Sequence, residues 1–132
     1  KQFKKKGEIN VTISTFIPKP HTAFEREQFV SPASIREKQE YLKKQLRQKY
    51  IHYHFTPVNV SLLEAVLSRG DRRTGALIER AWRHGARLDA WHEYFKYEAW
   101  EAAYRDGGST AENDAIRRFE PDATLPWSHI VL

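Results

Sequence analysis

The run Glu8-Ile9-Asn10-Val11-Thr12-Ile13-Ser14-Thr15-Phe16-Ile17, answered later by Tyr50-Ile51-His52-Tyr53-His54-Phe55, decides the fold. Both runs alternate. In the first, Ile9, Val11, Ile13, Thr15 and Ile17 share one face, and Asn10, Thr12, Ser14 and Phe16 share the other. In the second, Ile51, Tyr53 and Phe55 oppose Tyr50, His52 and His54. Successive side chains of an extended chain point to opposite faces, so each run predicts a strand with one apolar and one polar side. Pro18-Lys19-Pro20 closes the first strand, because neither proline can donate to a ladder and Lys19 is held extended by the proline after it.

A loop to about Val30 and then a helix separate the two strands. Ser31 followed by Pro32 is an N-cap and first-turn signature, and Ser34 with Glu37 offers a capping box one turn later. Ile35, Leu42 and Leu46 give the helix an apolar stripe, while Arg36, Lys38, Lys43, Lys44 and Arg47 with Glu37 and Glu40 form a solvated face. Strand, helix and strand with a long crossover make a βαβ unit, whose usual form is a parallel pair joined right-handedly.

Everything after Pro57 reads as helix. Ser61 and Glu64 make a capping box for a helix over 62–68 that Gly70 stops, and Asp71 caps another that runs through His84 to Gly85. A third is expected over 90–105, ending at Gly107-Gly108, and a short fourth starts from Ser109 or Thr110 with Glu112 and stops at Pro121. On the third, Trp91, Phe95, Ala99 and Ala102 project to one side at about 100° per residue, with Trp100 and Tyr104 near the other, which predicts cover on both. The fold class is α/β: one βαβ unit over 1–57, then three or four helices over 58–132.

Composition bounds the function. The 132 residues suit one domain or a piece of one, and 40% hydrophobic with 13% aromatic residues describe a globular chain rather than a disordered one. A formal charge of +5 invites a nucleic-acid reading. Yet charges of both signs interleave, Lys1, Lys4, Lys5 and Lys6 crowd one end, and no RNP, KH, zinc-finger or basic-zipper pattern occurs, so nucleic acid is not the expected partner. Apolar residues nowhere run for about 18 positions, and the basic start lacks the apolar stretch of a signal peptide, so the expected setting is cytoplasmic with no membrane partner. With no cysteine, these residues hold no disulfide, thiolate zinc site, protein-ligated iron–sulfur cluster or cysteine nucleophile. The missing methionine and the apolar finish Pro126-Trp127-Ser128-His129-Ile130-Val131-Leu132 read as cuts from a longer parent, whose remainder is the expected partner.

Four groups can carry chemistry. The polar strand face, Asn10, Thr12 and Ser14 with His52 and His54, looks inward at a ligand in a closed barrel, or is the solvated side of an ordinary sheet. His52 and His54 lack a third ligand of known position, so no metal is assigned. Phe16-Ile17-Pro18-Lys19-Pro20-His21-Thr22 stands at a strand's C-terminal end, where sites of parallel α/β folds cluster; it reads equally as a rigid exit loop. Arg69-Gly70-Asp71-Arg72-Arg73 could hold a carboxylate or phosphate through forked donors and helix-start amides, or could be an Asp71 N-cap with arginines paired to Glu64, Glu79 or neighbouring carboxylates. His92-Glu93 between Trp91 and Tyr94 suits acid–base work if buried, and otherwise ties its helix to a neighbour. No Ser-His-Asp arrangement, Walker loop or Gly-rich dinucleotide turn occurs, and no catalytic residue is assigned.

The stretch from Val11 to Phe24, with its Pro18-Lys19-Pro20-His21-Thr22, resembles the late barrel strand and exit loop of radical S-adenosylmethionine proteins that carry an N-terminal cobalamin-binding-type domain. Leu63-Glu64-Ala65-Val66-Leu67-Ser68-Arg69-Gly70-Asp71-Arg72-Arg73, Ala86-Arg87-Leu88-Asp89-Ala90-Trp91-His92-Glu93 and Leu125-Pro126-Trp127-Ser128-His129-Ile130 are similar, in order, to later blocks of those proteins. The resemblance implies a parent with a partial (β/α) barrel, a C-x-x-x-C-x-x-C loop upstream holding a 4Fe-4S cluster, and S-adenosylmethionine cleaved reductively to a radical, with cobalamin a further candidate cofactor. It implies that Phe16, Pro18, Pro20, His21 and Thr22 stand at the barrel top, near the cofactor's adenosine or the substrate, and that Thr12, Ser14 and His54 line the lumen. His54 and, from the anion-holding junction, Arg69, Asp71, Arg72 and Arg73 are the candidate substrate contacts. The 132 residues alone would be silent, and no substrate is named. Two rivals stand beside it: a non-enzymatic basic module for RNA or an acidic protein, and a helical cap that only closes a barrel.

Overall fold

Five residues of each alternating run form strands, β1 (Ile9–Ile13) and β2 (Ile51–Phe55), and they pair in parallel. The register sets Ile9 against Ile51, Val11 against Tyr53 and Ile13 against Phe55, so the two apolar faces combine on one side of the sheet. The computed structural model describes residues 7–91, 93–109 and 115–130. Between the strands runs helix α1 (Pro32–Gln45), and after them come α2 (Val58–Arg69), α3 (Arg73–Arg83) and α4 (Tyr97–Asp106). The expected βαβ unit followed by helices is the architecture observed.

Local chemistry explains most boundaries. Ser31, extended at φ −62° and ψ 148°, accepts the Ser34 N–H at 3.3 Å, and Pro32 fills the first turn, where a missing N–H costs nothing. Ser31 is thus the cap, and the Ser34–Glu37 box does not form because both residues already lie inside the helix. At the far end Leu46 donates to the Leu42 carbonyl. The side chain of Asp71 accepts the Arg73 N–H at 2.9 Å and opens α3, and Gly85, at φ +96°, takes the left-handed conformation that follows the helix's last turn.

Three expected boundaries are corrected. Strand β1 ends at Ile13, so Ser14 to Ile17 belong to the exit loop and Pro18 does not close the strand. Helix α2 starts at Val58, a turn before the expected Ser61 cap; Ser61 is buried inside it and donates its backbone N–H to the Pro57 carbonyl. Proline's fixed φ and the apolar residues that follow outweigh a local serine signal. Helix α4 starts at Tyr97 rather than 90, because Leu88 adopts φ +54° and the chain turns between Leu88 and Phe95. Trp91 consequently lies outside the helix and is 55% exposed. The buried side of α4 is a single stripe of Ala99, Trp100, Ala103 and Tyr104, so the expected cover on both sides is not observed. Residues 126–129 of the apolar C-terminal run form a turn. Thr110, Glu112, Val131, Leu132, His92 and the lysines at 1–6 lie outside the described residues.

The core forms among the helices and takes Phe29 and Ile35 from the first segment. These pack with Leu62, Val66, Leu77 and Trp100, so the βαβ unit and the helices share one buried cluster. Phe119, Leu125 and Trp127 form a second, with Phe119 and Trp127 edge to face at 5.4 Å. Among the described residues, no helix is long and apolar enough to cross a membrane.

Candidate functional site

Beyond the C-terminal end of β1 the exit loop is held on every side. Pro18 is fully buried, and Lys19 reaches Glu64 of α2 at 2.6 Å and the Ser68 hydroxyl at 3.3 Å. The Thr22 hydroxyl donates to the Lys19 carbonyl at 2.8 Å, closing a side-chain turn. His21, at φ +57°, occupies the left-handed region that histidine enters more readily than most residues. Its backbone N–H donates to Glu25 Oε2 at 2.9 Å, and the same oxygen accepts Trp127 Nε1 at 2.8 Å. These two donors, the indole first, lower the Glu25 pKa below the usual glutamate value. Arg26 donates to the carbonyls of Glu120 at 2.6 Å and Ala123 at 3.0 Å.

The loop so fixed forms one wall of a groove of about 360 Å³. Pro20 and His21 face Ser68, Asp71 and Arg72 at the α2–α3 junction, and Trp127, His129 and Ile130 close the third side. Three of the sequence blocks that carry the family resemblance, far apart along the chain, therefore meet at one place. A cationic guanidinium and two imidazoles beside apolar walls suit a ligand with an anionic end and a flat or aliphatic body.

The other expected site residues divide. Thr12 and His54 are register partners on the polar sheet face, and Thr56 donates its hydroxyl to Ser14 at 3.3 Å in the next row. Thr12, Ser14 and His54 are all exposed, and none lines the groove. Phe16 is 60% exposed and packs edge to face on Phe24 at 5.5 Å. Thr22 works within the loop. Two residues expected at a ligand take structural positions instead. Pro18 is buried in packing, and Arg69, 1% exposed, donates to the carbonyls of Glu25 at 3.3 Å and Arg117 at 3.0 Å while lying over the Phe119 ring. Burial, and then the neighbouring Arg117 charge, push its pKa down.

Arg73 is engaged by Asp71 through both carboxylate oxygens, the shortest contact being 2.7 Å, so the capping alternative is what forms. Glu64 pairs with Lys19 and Glu79 with Arg83 instead of with the junction arginines. Glu93 is exposed, which removes the burial an acid–base role needed. Among the described residues no group of three or more metal-ligating side chains gathers. Sequence reasoning missed Ser68, Trp127 and His129 as groove residues, although all three lie in blocks it had singled out.

No family model matches the chain, and no solved structure matches it. The chain is similar to an uncharacterized protein of Methanocaldococcus jannaschii, 30% identical over 71 residues, which are 54% of this chain. It covers only 16% of that protein's length.

Proposed function

We propose that this chain is the C-terminal part of a radical S-adenosylmethionine protein, in which β1, α1 and β2 complete a partial (β/α) barrel and α2–α4 cap it. The observation that carries the reading is the convergence of the exit loop, the Gly70–Arg72 junction and the 126–130 turn on one groove at the strand end. Ligands of parallel α/β folds bind beyond the carboxyl ends of the strands. An all-parallel sheet is also normally covered on both faces, and here the face bearing Thr12, Ser14 and His54 is open. Further strands of the parent, closing a barrel, would turn that face toward its lumen.

The chain has no cysteine, so it offers no thiolate to a 4Fe-4S cluster, and in this reading the cluster sits on other residues of the parent. The groove suits the cofactor's nucleoside and amino-acid parts. Pro20 and Ile130 offer apolar surface to a purine, and Arg72 offers a fork to a carboxylate. When bound, S-adenosylmethionine supplies a carbon radical after reductive cleavage, and this chain's residues orient it and exclude water. Work that needs a steady electron supply belongs in the reducing cytoplasm.

The test is anaerobic reconstitution of the full-length protein with iron, sulfide and S-adenosylmethionine. Release of 5′-deoxyadenosine is expected, and Arg72→Ala should lower it by about tenfold or more while the fold is kept. A cluster-loaded protein that releases none overturns the proposal. Steeply salt-dependent RNA binding by the chain would favour the basic-module alternative instead.

A further inference from the structure

A second cavity, of about 320 Å³, opens against α3 and α4 and shares the Gly70–Asp71 wall with the groove. Arg73 enters it from the first turn of α3, Arg80 from the last, and Arg117 from the segment after α4. Asp71 is the one carboxylate lining it among the described residues. Held near a pKa of about 2, Asp71 is ionised at neutral pH, so three guanidinium charges face one negative charge.

Arg73 is fixed by its fork on Asp71, and Arg80 and Arg117 are positioned without being used up. Arg80 Nε donates to the Ala103 carbonyl at 3.0 Å, and its terminal nitrogen lies where a Cβ on Gly107 would stand only 2.6 Å away. A side chain at Gly107 would push the Arg80 terminus aside. Arg117 lies 4.9 Å over the Phe119 ring, with one terminal nitrogen 3.8 Å from Asp71 and a buried Nε that has no hydrogen-bond partner. A guanidinium carries five N–H donors, and the contacts of Arg80 and Arg117 use few of them.

We propose that this cavity binds a phosphate group, free or on a small metabolite, through Arg73, Arg80 and Arg117. A net charge of two matches a dianion, and three guanidinium groups, from the two ends of α3 and from the segment after α4, suit a tetrahedral oxyanion better than a planar carboxylate, which one fork satisfies. The volume lies at the small end of the range for ligand sites, about 300–1,000 Å³, which fits a phosphate with a few carbons and not a nucleic acid strand. The site stands independently of the radical reading, since neither the strand-end groove nor any cofactor enters the argument.

Calorimetric titration of the full chain with inorganic phosphate, phenyl phosphate and acetate at constant ionic strength tests the assignment. Saturable one-to-one binding of phosphate is expected, at least about tenfold tighter than acetate, and weakened by about ten- to a hundredfold in Arg80→Gln and Arg117→Gln. Arg80 also holds a backbone carbonyl, so Arg73→Gln, on a largely exposed side chain, is the companion variant least able to disturb the fold. It should lose affinity by about tenfold with a circular-dichroism spectrum like that of the parent chain. Tighter binding of phenyl phosphate than of inorganic phosphate identifies a phosphomonoester as the ligand; the reverse order identifies phosphate itself. Phosphate that does not bind the parent chain saturably, binds no better than acetate, or binds all three variants as well as the parent overturns the proposal.

Discussion

Glu25 and Trp127, 102 positions apart, are joined by a 2.8 Å hydrogen bond from the indole to a carboxylate oxygen that also accepts the His21 N–H. The bond ties the C-terminal turn to the strand-exit loop, and Trp127 from the one and His21 from the other line the groove. Its donors lower the Glu25 pKa from the ordinary 4.5, so the stabilisation is complete above that value and is lost as pH falls through the lower, folded pKa. The Trp127 indole resonance in nitrogen–proton NMR spectra should therefore hold constant down to about pH 5 and shift only in more acidic solution. In Glu25→Gln that acid shift should vanish, and a titration identical to the parent's would remove Glu25 as its cause.

Arg69 carries the loop's other tether and should behave as a structural residue. Arg69→Ala leaves the Glu25 and Arg117 carbonyls without their donor and opens space beside Phe119. A loss of about 2–4 kcal/mol is expected in denaturant unfolding. Arg69→Lys should recover little of it, because a single ammonium cannot fork to two carbonyls while stacking on a ring. Full stability in Arg69→Ala would overturn this placement.

These tethers also show where sequence reading stops. The strands, the Ser31–Pro32 helix start and the Gly70 and Gly85 stops were legible because each is decided within a few residues by alternation, a cap or a lost donor. The same local logic misplaced the start of α2, where a buried Ser61 imitated a cap, and of α4, where Trp91 fell outside the helix once Leu88 turned the chain. The site was legible only in pieces. Nothing local distinguishes Arg69, which is buried, from Arg72, which is exposed, since both lie within two residues of the same glycine. The pairing of Glu25 with Trp127 is set by packing across most of the chain, which no periodicity records.

Asp71 should show the acid behaviour of a paired cap. Arg73's guanidinium, then its backbone N–H, hold the carboxyl at about 2 against an ordinary 3.8. Its contribution is complete above the higher value and lost as pH falls through the lower one. Because the pair is partly exposed, solvent screening limits the effect of Asp71→Asn to about 0.5–1 kcal/mol at neutral pH, measured by thermal melting. The difference between the two proteins should shrink toward zero near pH 2, and a difference unchanged in acid would count against the pairing.

Gly70 should resist even alanine. A Cβ there would stand 1.9 Å from the Thr74 hydroxyl and 2.9 Å from the Val66 carbonyl, and the second of these is backbone. Its φ of −71° is ordinary, so the demand is for space alone. Gly70→Ala should cost about 1–3 kcal/mol, and adding Thr74→Ala should return part of it by removing the nearer clash. A Gly70→Ala chain that melts with the parent would show that the junction relaxes freely.

The polar sheet face offers the test that separates scaffold from site. Thr12 is exposed and sits opposite His54, so Thr12→Val keeps the branched side chain that strands favour and removes only a hydroxyl. The melting temperature of the chain should stay within about 2 °C, since exposed substitutions of this kind fall within about 0.5 kcal/mol. In the full-length protein the proposed barrel turns that hydroxyl toward the lumen, and release of 5′-deoxyadenosine should fall by about tenfold, the loss expected of one ligand-directed hydrogen bond. His54→Ala, on the partner strand, should act in the same direction, at a stability cost of about 0.2–1 kcal/mol for the lost cross-strand pair. If both variants melt as expected and also release the nucleoside at the parent's rate, Thr12 and His54 do not face the ligand, and the site contracts to the groove around His21 and Arg72.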